Sequence, residues 1–170
     1  MLESRRLIYR TPEPQDIDLF YNWENNTRFW KVSNTIVPFN KYLLKKFISS
    51  SHNLLENKQL RLVICMKDNH QPIGCVDLFD FDAINSKTGV GILIDEEFQN
   101  QGYAKEAIDI IMQYCNKTLN LHQIYCTIIS NNASSIKLFE NCGFKHSGTK
   151  KDWVKEGNQY FDELLYQFIF

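Results

Sequence analysis

The sequence predicts an α+β fold around a central mixed, mostly antiparallel sheet, and three stretches carry that expectation. Thr88 to Thr118 reads strand, tight turn, helix: the apolar run T-G-V-G-I-L-I, the polar turn D-E-E-F-Q-N-Q-G-Y-A, then K-E-A-I-D-I-I-M-Q-Y-C-N-K-T. Ahead of it, Leu60 to Ile94 alternates apolar runs with turn residues, the pattern of an antiparallel meander. Behind it, H-Q-I-Y-C-T-I-I, ending at Ile129, is a strand that must cross back to pair with Val90–Ile94, which makes the sheet mixed.

Taken in order, Leu7 to Arg10 is a first strand, ended by Thr11-Pro12-Glu13-Pro14 because proline cannot continue a ladder. Asp16 can cap a helix through Ile17, Leu19, Phe20 and Trp23. The segment W-E-N-N-T-R-F-W, Trp23 to Trp30, reads either as a helix end packing its aromatics on the core or as a substrate wall. A second helix is expected over Lys41 to Ser50, and the polar piece Ser49 to Asn57 is its frayed end or a mobile loop. R-L-V-I-C-M-K and P-I-G-C-V-D-L-F-D-F are strands joined by D-N-H-Q. The run after Thr88 suits a strand buried on both faces. The next helix places Ala104, Ala107, Ile108, Ile111, Met112 and Cys115 on one face. Ser134 to Asn141 is a short helix, closed by Gly143 as a left-handed cap. A long hairpin turning at K-E-G-N finishes the chain, and residues 1–170 are expected to form one domain.

Composition excludes several classes of function. A chain that is 44% hydrophobic and 14% aromatic is globular. Net charge is −1 with no basic run, so no nucleic acid is expected as a partner. The five cysteines (65, 75, 115, 126, 142) are odd in number and never spaced C-x-x-C, which predicts a reduced, cytoplasmic protein with no metal. The opening M-L-E-S-R-R-L-I-Y-R lacks a signal-peptide core, no later segment is long and apolar enough to span a bilayer, and no membrane partner is expected.

The turn before the central helix carries the functional reading. Free backbone N–H groups and the positive end of a helix dipole meet at Gly102, where a lone glycine is usually an ordinary turn but also suits a phosphate site. Gln99-x-x-Gly102-x-Ala104 resembles the Q/R-x-x-G-x-G/A signature of the GCN5-related N-acetyltransferases, the GNAT superfamily. The stretch Asn132-Ala133-Ser134-Ser135-Ile136-Lys137-Leu138-Phe139-Glu140-Asn141-Cys142-Gly143-Phe144 resembles the second signature, N-x-x-S-I-x-L-Y-E-x-x-G-F. The order of elements resembles that family's too. Within the superfamily, W-E-N-N and Y-F-D-E-L-L-Y look most like the branch of spermidine and ribosomal-protein N-terminal acetyltransferases.

That resemblance implies a sheet splayed around a cofactor cleft, helices on both faces, and acetyl-CoA as co-substrate. It places the backbone of Ile92, Leu93 and Ile94 along pantetheine, with an N–H near Leu93 available to the thioester oxygen. It places Gln99, Asn100, Gln101, Gly102, Tyr103 and Ala104 around the pyrophosphate. Asn132, Ser135 and Phe139 fall near the arm, where Asn132 also serves as a helix N-cap. Two departures stand out. A glutamate common in relatives is replaced by Gly89, and the tyrosine that acts as general acid is replaced by Phe139. Asp77, Asp80, Glu24 and Asp162 remain as candidate bases or water-holders, each alone more readily a surface carboxylate, and Tyr125 or Tyr160 as a substitute hydroxyl.

The acceptor is expected to be a diamine or polyamine, drawn by Trp23, Glu24, Trp30, Asp80 and Asp162 converging on one cleft. Asp80 and Asp82 share a strand face, and Asp77 falls on the other unless a bulge intervenes. A protein N-terminus is the alternative acceptor. A non-catalytic acyl-CoA-binding module is the alternative function, motivated by Gly89 and Phe139. A homo-oligomer is compatible with either.

Overall fold

The structure, a computed structural model, describes residues 2–33, 35–50 and 54–170. Seven strands form one open sheet: β1 (Leu7–Arg10), β2 (Leu60–Met66), β3 (Pro72–Asp82), β4 (Lys87–Ile94), β5 (Gln123–Ile129), β6 (Lys145–Glu156) and β7 (Gln159–Ile169). Their order is β1-β2-β3-β4-β5-β7-β6, with every pair antiparallel except β4 and β5.

Helices cover both faces. On one lie α1 (Ile17–Asn25) and α3 (Lys41–Ser49), which bury Phe20, Trp23, Leu44 and Ile48 against Val63, Cys65 and Cys75. On the other lie α5 (Tyr103–Lys117) and α6 (Ala133–Asn141), with Ala107, Ile108, Ile111 and Cys115 fully buried in the larger core. Strand β2 sends Leu62 and Ile64 to one core and Val63 and Cys65 to the other, so it reads as an unbroken apolar run. Among the described residues no helix is long and apolar enough to cross a membrane.

Two short elements were absent from the sequence reading. The aromatic segment after Trp23 is a helix end followed by α2 (Thr27–Ser33), broken at Asn26, whose extended ψ stops α1 and whose side chain caps the Arg28 N–H at 3.1 Å. The piece Ser49 to Asn57 ends in a single turn, α4 (Leu54–Asn57), anchored by buried Leu54; residues 51–53 lie outside the described residues.

What positions the site is where the parallel pair stops. β4 and β5 are partners only at Lys87–Gln123, Thr88–Ile124 and Gly89–Tyr125. Beyond Gly89, β4 stays on β3 as far as Gly74–Ile94, while β5 stays on β7 as far as Ile129–Glu163. The run from Thr88 is therefore paired with β5 only at its start, and from Val90 on it splays away, as the resemblance implied, so burial on both faces does not hold along its whole length. Gly91, Ile92 and Leu93 are only half-buried, because their neighbour has left them facing an open cleft.

Candidate active site

The cleft between the diverging strands opens into two adjoining cavities of about 370 and 420 Å³, within the range of small-ligand sites. Phe29, Ile92, Leu93, Asn132 and Ser135 border both, so the two are halves of one passage.

The second half is the phosphate turn. Asp95 caps the turn Glu96–Phe98, and Gln99 sends its Nε2 back to Ile94 O at 2.8 Å. Asn100 (φ 59°) and Gly102 (φ 81°) both take the left-handed conformation, which folds the backbone into a concave nest of N–H groups. The first helical bond of α5 is Glu106 N–H to Gly102 O at 3.2 Å. The N–H groups of Tyr103, Ala104 and Lys105 therefore have no partner within the helix and lie at its positive end. Ile94, Gln99, Asn100, Gly102, Tyr103 and Ala104 border this half, and Lys105 and Arg28 add two cations that the sequence reading missed. Lys105 directly follows the signature and was legible; Arg28 belongs to α2. Gln101, expected there, does not border it; its Nε2 is turned to Glu97 O at 2.9 Å. Asn132 caps α6 by accepting the Ser135 N–H at 3.2 Å, and both residues border the passage. Phe139 borders the first half, one turn beyond Ser135.

The first half is a chamber with aromatic and carboxylate walls. Trp23, Phe29 and Phe79 border it, as do Glu24, Asp77 and Glu163. Its centre is Arg61, only 15% exposed, whose guanidinium donates to both Asp77 oxygens at 2.7 and 2.8 Å and also to Glu24. The rings of Phe47 and Phe20 lie within 5.2 and 5.5 Å of the same guanidinium. Glu163 is bound by Lys150 at 2.7 Å. Neither Arg61 nor Glu163 stood among the expected site residues.

Several residues expected at the chamber lie elsewhere. A bulge does intervene on β3: register shifts between Phe79 and Asp82, with Asp80 at φ 49°. Ahead of the bulge, Cys75, Asp77 and Phe79 alternate onto the chamber face, while Asp80 is exposed beyond it and accepts the Tyr125 hydroxyl at 3.4 Å. Tyr125 stands edge-on to Phe79, 6.1 Å between centroids, and does not border the chamber. Asp82 caps a turn through the Asn85 N–H at 2.9 Å. Asp162 is one residue out of phase with Glu163 and instead holds Lys151 and the Asp152 N–H, at 2.8 and 3.0 Å. Trp30 donates to Glu24 O at 2.8 Å and is likewise outside the lining. Trp23 does border it, its indole fixed on Asp95 at 2.8 Å.

The missing glutamate has a steric explanation. A Cβ at Gly89 would lie 2.3 Å from the Phe79 ring, so the space a side chain would occupy is already filled. The thiols near the cleft are equally constrained. Burial pushes Cys75 and Cys126 up to about 12, and Cys142 to about 11, so all three stay protonated near neutral pH.

An extended passage with a phosphate nest at one end and an acid-lined chamber at the other, split between two halves of a sheet, is the architecture of an acyl-CoA-dependent transferase. Residues 6–145 match the family model described as an acetyltransferase (GNAT) domain, and the chain accordingly belongs to the GNAT family of N-acetyltransferases. It is similar to the uncharacterized N-acetyltransferase YnaD of Bacillus subtilis, 24% identical over 99% of this chain and 96% of that one. It is also similar to the spermidine N(1)-acetyltransferase of Vibrio cholerae, 27% identical over 85% of this chain and 82% of that one. Among solved structures, the Vibrio cholerae spermidine N-acetyltransferase in complex with CoA and spermine superimposes with a TM-score of 0.87. That match has 23% identity and covers 98% of this chain and 96% of the other.

Proposed function

We propose that this chain transfers the acetyl group of acetyl-CoA directly to a primary amine, with a diamine or polyamine as acceptor. The observation that carries the reading is the short β4–β5 pairing, which leaves two strand edges open between the phosphate nest and the acidic chamber. The nest at Asn100–Ala104 suits the pyrophosphate, and the open edge at Ile92–Ile94 suits the amides of pantetheine. The thioester supplies an activated acyl carbon. The free amine adds to that carbon, the C–N bond forms, the C–S bond breaks, and one amine proton leaves to solvent. An N–H of β4 near Leu93 is suited to the oxyanion.

Each chamber carboxylate is already ion-paired: Glu24 and Asp77 on Arg61, Glu163 on Lys150. Their oxygens are already engaged as acceptors of those cations, and the amine gives its proton to bulk solvent. With Phe139 in place of a hydroxyl, sulfur leaves as thiolate, which a thiol pKa near 8.5 permits. Protonated Cys75 and Cys126 leave no sulfur nucleophile in the chamber, so no acetyl-enzyme forms.

The polyamine reading draws on three carboxylates against two cations, on aromatic walls, and on the likeness to spermidine acetyltransferases. Arg61 favours a second acceptor, a protein N-terminus, because it occupies the space between Glu24 and Asp77 that an ammonium would otherwise take. Release of free CoA thiol from spermidine, putrescine and an alanine-starting peptide, at low and high salt, separates the two. The expected result is a preference for spermidine that weakens with salt and a rate that climbs with pH. A peptide acetylated far faster would select the second acceptor. No thiol release with any amine would mark a binding module without catalysis.

A further inference from the structure

The turn that borders the phosphate half is held from behind by one side chain from the start of the chain. Arg6 Nε donates to Glu106 Oε2 at 2.7 Å, and its Nη1 donates to Gln101 O at 3.1 Å. Its guanidinium lies over the Tyr103 ring, 4.2 Å from the centroid, and Nη2 is 3.5 Å from where a Gly102 Cβ would stand. The backbone repeats the link: Arg6 N–H and Ser4 Oγ both donate to Glu106 Oε1, at 2.8 and 2.7 Å. Three consecutive turn residues, Gln101, Gly102 and Tyr103, thus rest on one planar cation that itself makes no part of the cavity lining.

We infer that Arg6 is the positioning residue of the pyrophosphate turn. Two physical effects follow. By holding Gln101 O on the far side, Arg6 fixes the peptide orientation that turns the following N–H groups toward the cavity. By pairing Glu106, it neutralises a carboxylate in the first turn of α5, where an uncompensated negative charge would oppose a bound anion. Desolvation alone would raise the Glu106 carboxyl. The Ser4 hydroxyl and the Arg6 N–H and guanidinium outweigh that and keep it ionised, so the pairing is permanent near neutral pH.

This rests on the reading that the turn binds the pyrophosphate of CoA, and the test separates the two ideas. CoA binding is measured by calorimetry, and kinetics with acetyl-CoA and with acetyl-pantetheine, which lacks the pyrophosphate, are compared for wild type, Arg6→Met and Arg6→Lys. Arg6→Met is expected to weaken CoA binding and raise the KM for acetyl-CoA about tenfold, the loss of one charge-assisted contact. The acetyl-pantetheine KM should stay within twofold of wild type. Arg6→Lys, which keeps the charge but gives up the fork, should fall between. A purely structural role would shift both thioesters together, and that result would overturn the inference, as would unchanged CoA affinity in both variants. If Arg6→Met does not fold, Arg6→Lys decides on the same split between the two thioesters. Failure of the wild-type chain to bind CoA would bring down the cofactor reading and this inference with it. Wild-type binding matched by both variants would bring down the inference alone.

Discussion

Gly89 shows how one residue removes a chemical option. Its Cβ position lies inside the Phe79 ring contact, so the glycine accommodates a ring from β3 that leaves no room for a side chain. Gly89→Ala is expected to destabilise the fold by about 1–3 kcal/mol, the ordinary cost of overpacking, read as a lower urea midpoint. Gly89→Glu should be worse and should not raise turnover, since its carboxylate has no room beside Phe79. An increase in rate without loss of stability would show that the ring yields. Arg61 makes a complementary point. Its two carboxylates look in sequence like free acids for a cation, and only the β2–β3 register, which sets Arg61 opposite Asp77, shows that a cation is already built in.

At the scale of elements, β1 is fastened to the start of α1 by half-buried Arg10 on buried Asp16, at 2.6 and 2.8 Å. Burial by itself raises the Asp16 carboxyl; the Arg10 guanidinium and the Glu13 N–H outweigh it and hold the group below the usual carboxylate range. A folded value below the unfolded one stabilises fully above the ordinary carboxylate pKa of about 3.9. That contribution is lost as pH falls through the lower folded value. Thermal stability should therefore drop below about pH 4, and Asp16→Asn should both lower it near neutrality and flatten that acid limb. An Asp16→Asn variant with the same acid limb as wild type would place the loss elsewhere.

The strand–turn–helix unit, the left-handed Gly143 and the order of strands were legible because their signals are local: period, a glycine, a capping residue. Of the acids of the chamber, Glu24 and Asp77 were legible and Glu163 was not. Counting along a strand says which residues share a face but not which face meets the cleft: Asp77 lies on the chamber face with Cys75 and Phe79, and Asp80, three residues on, does not. On β7 alternation likewise separates neighbours: Glu163 borders the chamber, and Asp162 turns to Lys151 and Asp152 of β6. The short helix α2 was hidden by aromatics that fit a core as well as a wall, and it brings Phe29 to both halves of the passage and Arg28 to one.

For the whole molecule, one sheet is shared by two half-sheets that part at Gly89, and the turn before α5 closes the gap at the phosphate end. If acetyl-CoA is the co-substrate, this gap, and not a surface patch, takes it. The direct measurement is thermal unfolding with and without acetyl-CoA, with Ala104→Glu as the variant that puts bulk and like charge at the nest. Ligand at about 100 times its dissociation constant should add roughly 2.7 kcal/mol to the wild-type chain and nothing to Ala104→Glu. An Ala104→Glu chain that folds and is stabilised as much as wild type would contradict it.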